Sequence, residues 1–211
     1  MSGFYGNVAL LLPGKLEEQA AVAGLRRAAQ ALDEAFIEIP EWIENRPPVP
    51  ERIIGVQPDG SPWMTCLDPI CNEGLESDIA LDVAQLYGQA FGAPALSFSV
   101  ADGGQLLVMG CAIPGRPCCW YARGALASLL FYEIDLAVCR FPREASRLMK
   151  PENRFAFNRL WMQRPDGREE KRMEEIADLF GFCILGNLPY QEGPSQAAVI
   201  DLPFRPFSPN R

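Results

Sequence analysis

From Lys15 to Phe36 apolar residues recur every three or four positions, with Val22, Leu25, Ala29, Leu32 and Phe36 on one side and Glu18, Arg26, Gln30 and Asp33 on the other. That period predicts an amphipathic helix lying on a core. A second helix is predicted over 78–91, where Ile79, Val83, Leu86, Tyr87 and Ala90 separate from Asp78, Asp82, Gln85 and Gln89. Ser77 is placed to cap it, and acids in its first turn suit the helix dipole. A third helix runs from Arg168 to Phe180, with Met173, Ile176, Ala177 and Phe180 on one face.

Elsewhere the period drops to two. Leu96, Phe98 and Val100 alternate with Ser97 and Ser99, Asp102-Gly103-Gly104 supplies a turn, and Gln105 to Cys111 returns as the second arm of a hairpin. Ile53 to Val56 and Trp63 to Thr65 flank Pro58-Asp59-Gly60 and make another hairpin. Asn7 to Leu12 reads as a short strand, FIEIPEWIE (36–44) as an edge strand stopped by Pro40, and Cys118 to Tyr121 as a further strand. Apolar residues in 125–138 run almost without period, so helix and strand both stay open there. The segment NRFAFNRLWMQR (153–164) reads as a packed strand in which Phe155 and Phe157 alternate with solvent-facing Arg154 and Arg159; its mix of basic and aromatic residues also suits stacking on bases.

Hairpins with about three amphipathic helices, in no regular strand–helix alternation, predict an α+β fold around a mixed or antiparallel sheet. At 211 residues and 48% hydrophobic content the chain is expected to be one domain, 1–211. Arg46 to Pro50 is an extended linker, and a proline-rich tail begins at about residue 201.

Composition removes whole classes of chemistry. There is no histidine, so Ser-His-Asp and Cys-His catalysis and imidazole zinc sites are excluded. The cysteines offer Cys66-x-x-x-x-Cys71 and the adjacent Cys118-Cys119, not paired Cys-x-x-Cys knuckles; no metal or cofactor is expected. A thiol near Arg116 and Arg123 would have its pKa lowered, against the alternative of buried structural cysteines. Carboxylate pairs such as Asp68 with Glu73 suit glycoside hydrolysis only in a set geometry, and acids are too numerous for one pair to stand out. No Walker loop, kinase set, Gly-x-Ser-x-Gly elbow or calcium loop is present. No catalytic residue is assigned.

Gly186 to Tyr190, GNLPY, resembles the Asn-Leu-Pro-Tyr loop of the ribosomal-RNA adenine dimethyltransferases. That family also carries a glycine-rich turn for its methyl donor, and no Gly-x-Gly-x-Gly lies upstream here. The five residues therefore read as a turn leaving the last helix. An odd total of seven cysteines fits reduced thiols, the first residues lack a basic leader, and no stretch approaches the roughly 20 apolar residues of a membrane span. A cytosolic protein is expected.

The formal charge of −8 is unevenly spread. Residues 33–82 hold twelve acids against Arg46 and Arg52, a net of −10, whereas 140–172 holds ten basic residues against five acids, a net of +5. An acidic lobe repels phosphate and attracts basic proteins, which argues against nucleic acid as its partner. This profile, together with the helix-to-hairpin run DIALDVAQLYGQAFGAPALSFSVADGGQLLVMG (78–110), resembles the immunity proteins paired with polymorphic or contact-delivered bacterial toxins. The resemblance implies a non-catalytic protein that occludes the active site of a cognate, basic toxin. It points to Glu73, Glu76, Asp78 and Asp82 as the contact acids, Trp63 as an aromatic anchor, and Asp102 at the hairpin tip as a further contact. A regulatory or chaperone-like adaptor and an enzyme of unfamiliar type, built on a concave pocket with perturbed pKa values, are the alternatives. The oligomeric state is left open.

Overall fold

The computed structural model describes residues 5–35, 54–58, 60–67 and 77–185. They form an α+β fold: β1 (Tyr5–Leu11), α1 (Glu18–Ala35), β2 (Ile54–Val56), β3 (Trp63–Leu67), α2 (Ser77–Phe91), β4 (Ala95–Ala101), β5 (Leu106–Ala112), β6 (Cys119–Gly124), α3 (Leu126–Phe131), α4 (Arg143–Ser146), α5 (Arg154–Met162) and α6 (Glu169–Phe180). The strands make one sheet in the order β2-β3-β1-β4-β5-β6, and every pairing is antiparallel. The three predicted helices and both predicted hairpins are present. The FIEIPEWIE strand, the 46–50 linker, the GNLPY turn and the tail from about 201 lie outside the described residues.

Register divides the side chains into two faces. On the front face Val8, Leu10, Met64, Cys66 and Ala95 meet Ala21, Leu25, Ala28 and Leu32 of α1 and Val83 and Tyr87 of α2. On the back face Leu96, Phe98, Leu107, Met109 and Tyr121 meet Phe157 and Trp161 of α5 and Met173, Ile176 and Phe180 of α6. Because helices cover both sides, every residue of β4 and β5 is buried. The serine–apolar alternation of β4 therefore does not mark a wet side. Ser97 is 2% exposed, donates its hydroxyl to the Ala80 carbonyl of α2 and accepts from the Gly110 amide at 3.2 Å.

That contact explains the glycine in mid-β5. A Cβ on Gly110 would lie 2.1 Å from the Ala80 carbonyl oxygen, so α2 can approach the sheet only where a side chain is missing. The back face is filled differently, by rings: Trp63 packs on Phe180 (5.9 Å) and Phe182 (5.3 Å), and Phe157 on Phe180 (5.3 Å).

The segment 153–164, expected as a strand, is the helix α5. Phe157 and Trp161, four residues apart, are buried, while Phe155 is 78% exposed. The Phe-Ala-Phe alternation is too short to outweigh this four-residue spacing, which continues in Ala156 and Leu160. The ambiguous 125–138 region becomes α3 followed by a 3₁₀ turn, Leu136–Val138.

Three helix ends share one design; at α2 the Ala93 amide donates to the Gly88 carbonyl (3.0 Å) with Gly92 at φ 61°. After α3 the Ile134 amide donates to the Leu129 carbonyl (2.9 Å) and the Glu133 amide to that of Leu130 (3.2 Å), with Leu129 and Ile134 packed beneath. This is a Schellman closure, which needs one left-handed residue. α6 closes through Phe182 to Ala177 with Gly181 at φ 89°. In α3 the left-handed position is Glu133, φ 53°, alone among the described non-glycine residues.

Candidate functional site

At the β6 edge of the back face a cleft of about 630 Å³ is lined by Cys119, Tyr121, Arg116, Arg140, Arg143 and Glu144. Strand alternation places Cys119 and Tyr121 on the same side of β6, and Cys119 Sγ lies 3.1 Å from Tyr121 Oη. Cys111 sits directly opposite Cys119 on β5 and is 1% exposed. The opposite wall is held by anchors below it. Trp161 Nε1 donates to the Arg140 carbonyl at 3.0 Å, and Phe141 packs on Phe157 with ring centres 5.3 Å apart. Across the mouth, Arg116 Nη1 pairs with Glu144 Oε2 at 3.1 Å and Arg147 with Glu144 Oε1 at 3.5 Å. Among the described residues Arg140 and Arg143 make no ion pair, so their charge is available to the cleft.

The cleft splits its two facing thiols. Hydrogen bonding to the Cys111 thiol holds Cys119 below the usual thiol range, to about 6; burial and Glu144 oppose the fall, Tyr121 and Arg140 assist it. Cys111 is pushed up, first by that same hydrogen bond and then by burial. Tyr121 is also raised, mainly by burial and then by its hydrogen bond to Cys119. Cys118 points away from the pair, and burial raises it. The predicted thiol-lowering by Arg123 does not occur. Arg123 is 4% exposed and fully engaged elsewhere: it forks onto both carboxylate oxygens of Glu169 and donates to the carbonyls of Leu160, Trp161 and Gln163. Its charge meets the carbonyl end of α5 and the first residue of α6, and so clamps both helices to β6.

A second candidate surface lies beside β6. Leu126, Leu130, Phe131 and Leu136 are 60, 61, 78 and 53% exposed, while Ser128, Leu129 and Ile134 beneath them are buried. Leu126 and Leu130 are one turn apart on α3, and exposed Glu133 and Asp135 interrupt the run. The result is an apolar ridge with an acidic rim on a packed base. On α5, Phe155 and Met162 are also exposed, seven positions apart with Arg159 between them.

Of the residues chosen from sequence, Trp63 and Asp82 have described side chains, and they belong to opposite sides of the sheet. Trp63, expected as an exposed anchor, is 2% exposed and belongs to the aromatic core; its place on the back face of β3 turns it onto Phe180 and Phe182. Asp82 is half-buried on α2, engaged, and close enough to Cys118 to raise its thiol. Glu73, Glu76 and the side chains of Asp78 and Asp102 lie outside the described residues. The ridge has no signal in the sequence, because a run without period gives no face to expose. The thiol pair had a signal in the hairpin register, once β6 follows β5.

No family model, curated protein or solved structure matches this chain. Among the described residues no cluster of three or more candidate metal ligands occurs, and no helix is long and apolar enough to cross a membrane.

Proposed function

We propose that this chain is a cytosolic protein-binding module that neutralises a cognate bacterial toxin by occluding its active site, as immunity proteins do. The supporting observation is the ridge of α3 and the turn after it. Four large apolar side chains more than half exposed within one short segment are costly to leave in water, and surfaces of this kind mark protein contacts. Their base is buried and their helix end is closed, so little order has to be gained on binding. Glu133 and Asp135 set the sign of the partner: a basic rim around an apolar cleft, the charge of enzymes that act on nucleic acid or nucleotides.

The contact surface is thereby moved from the 73–82 acids to 126–136. Tagged full-length protein is isolated from its source cells at low and high salt, and the gene of any basic protein recovered in near-equal amount is expressed alone and together with this chain. Growth arrest by the partner, relieved by the native chain but not by Leu130→Glu or Phe131→Glu variants of unchanged circular dichroism, is the expected result. A partner that is harmless alone, or rescue by the ridge variants at native strength, overturns the reading.

A further inference from the structure

Cys111 and Cys119 are directly opposed on neighbouring antiparallel strands, so their side chains leave the same face of the sheet. Opposed residues in such a pair have Cα atoms roughly 4.5–5.5 Å apart, inside the roughly 4.4–6.8 Å that a disulfide requires. The two differ in access: Cys119 lines the cleft, and Cys111 lies behind it at 1% exposure. Cys118, the neighbour of Cys119 in sequence, leaves the opposite face and takes no part. One thiol open to a small reagent, a second within bonding reach, and two arginines at the opening that make no ion pair among the described residues form a site that neither strand has alone.

We infer that Cys119 is a site of oxidation by hydrogen peroxide or a small organic hydroperoxide, with Cys111 as the resolving thiol and a cross-strand disulfide as the product. The Cys119 sulfur, ionised after releasing its proton to solvent, attacks one peroxide oxygen. The O–O bond breaks, and the departing oxygen takes up a proton and leaves as water or alcohol; Cys119 is now a sulfenic acid. The Cys111 sulfur then attacks the Cys119 sulfur, the S–O bond breaks, and the hydroxyl leaves as water with the Cys111 proton. The sum is two thiols and one peroxide to one disulfide, water and water or alcohol. Tyr121 Oη, 3.1 Å from Cys119 Sγ, orients the sulfur, and Arg140 favours its anion and the charge that develops on the leaving oxygen. Burial of Cys111 keeps the resolving thiol from reacting first. None of this depends on the ridge or on a toxin.

The test treats reduced full-length protein with one equivalent of hydrogen peroxide, blocks remaining thiols with N-ethylmaleimide and maps the peptides by mass spectrometry. A Cys111–Cys119 link formed ahead of modification at Cys118, Cys139 and Cys183 is expected. Cys111→Ser is expected to stop at a Cys119 sulfenic acid trapped by dimedone. Arg140→Gln, a substitution on the surface, is expected to slow oxidation about threefold or more, with Arg159→Gln as the unaffected control. Equal modification of all accessible thiols, a link through Cys118, or an unchanged rate in Arg140→Gln overturns the inference. If Cys111→Ser does not fold, the native link and the Arg140 comparison decide it.

Discussion

The two faces of the sheet are closed by opposite means. The front face is closed by proximity: glycine at 110 lets the backbone of α2 settle almost onto the strands, and α1 packs against α2 through its alanines and leucines. The back face is closed by bulk, with tryptophan and phenylalanine rings holding α5 and α6 at a distance. Close approach leaves no room for chemistry, whereas propping helices apart with rings leaves gaps at the edges that polar groups must fill. At one such gap Arg123 fills the space completely; at the β6 edge the filling stops short, and the thiol cleft remains.

The largest expected effect strikes the back face. Arg123→Ala leaves Glu169 buried and unpaired, which costs about 3–5 kcal/mol in chemical denaturation, while Arg123→Met combined with Glu169→Leu restores most of the loss. If the single variant unfolds at the native midpoint, the back face is held by its rings alone. On the front face Gly110→Ala forces a methyl against the Ala80 carbonyl and costs about 1–3 kcal/mol. A smaller loss there means that α2 slides freely and the contrast between the faces is weaker than drawn. Glu133→Gly works in the other direction. It relieves a left-handed side-chain-bearing residue, so it is expected to stabilise by up to about 1 kcal/mol while weakening partner association. Stabilisation without any loss of binding would remove the reason for an acid at that position.

The smallest change in stability is expected for Cys119→Ser, under about 1 kcal/mol, because the side chain is half-exposed at an edge. Its readout is pH. Cys119 faces Cys111, Tyr121, Glu144, Arg116, Arg140 and Arg143, and its lowered pKa makes the thiolate the major form above about 6. Iodoacetamide labelling of Cys119 is therefore expected to rise through pH 6 and level off by neutrality, whereas the raised Cys118 and Cys139 keep gaining rate at alkaline pH. Labelling of Cys119 that tracks Cys139 across the range would refute the split between the facing thiols.

Sequence periodicity revealed the scaffold well and the sites poorly, for physical reasons. The α1 and α2 stripes and the 95–112 hairpin are local patterns, set by neighbours three, four or two positions away, and they carried through to the structure. Alternation misled once: Phe155 and Phe157 look like a strand, yet Trp161 completes a helical face. It placed β4 correctly, but it carries no sign that a second layer covers Ser97 and Ser99. The Arg123–Glu169 clamp joins residues 46 positions apart, and nothing in a strand reading CWYARG says that its arginine turns inward. Trp63 was chosen as an anchor for its residue type, but residue type does not say which face of a strand it leaves. Net charge along the chain likewise carries no sign of the ridge, which is defined by exposure of apolar residues in a segment without period.

Asn7 joins the two ends of the described chain: its amide nitrogen donates to the Leu185 carbonyl at 3.0 Å, and its oxygen accepts the Leu185 amide at 2.8 Å, with the side chain wholly buried. On the ribosome this asparagine must wait for Leu185, 178 positions later, before its buried groups are satisfied. Until then β1, which lies in the middle of the sheet between β3 and β4, carries an unmet polar side chain on the face that α6 and the residues after it will cover. Synthesis stalled before residue 185 would thus leave the central strand incomplete, so closure of the back face waits on the residues that follow α6.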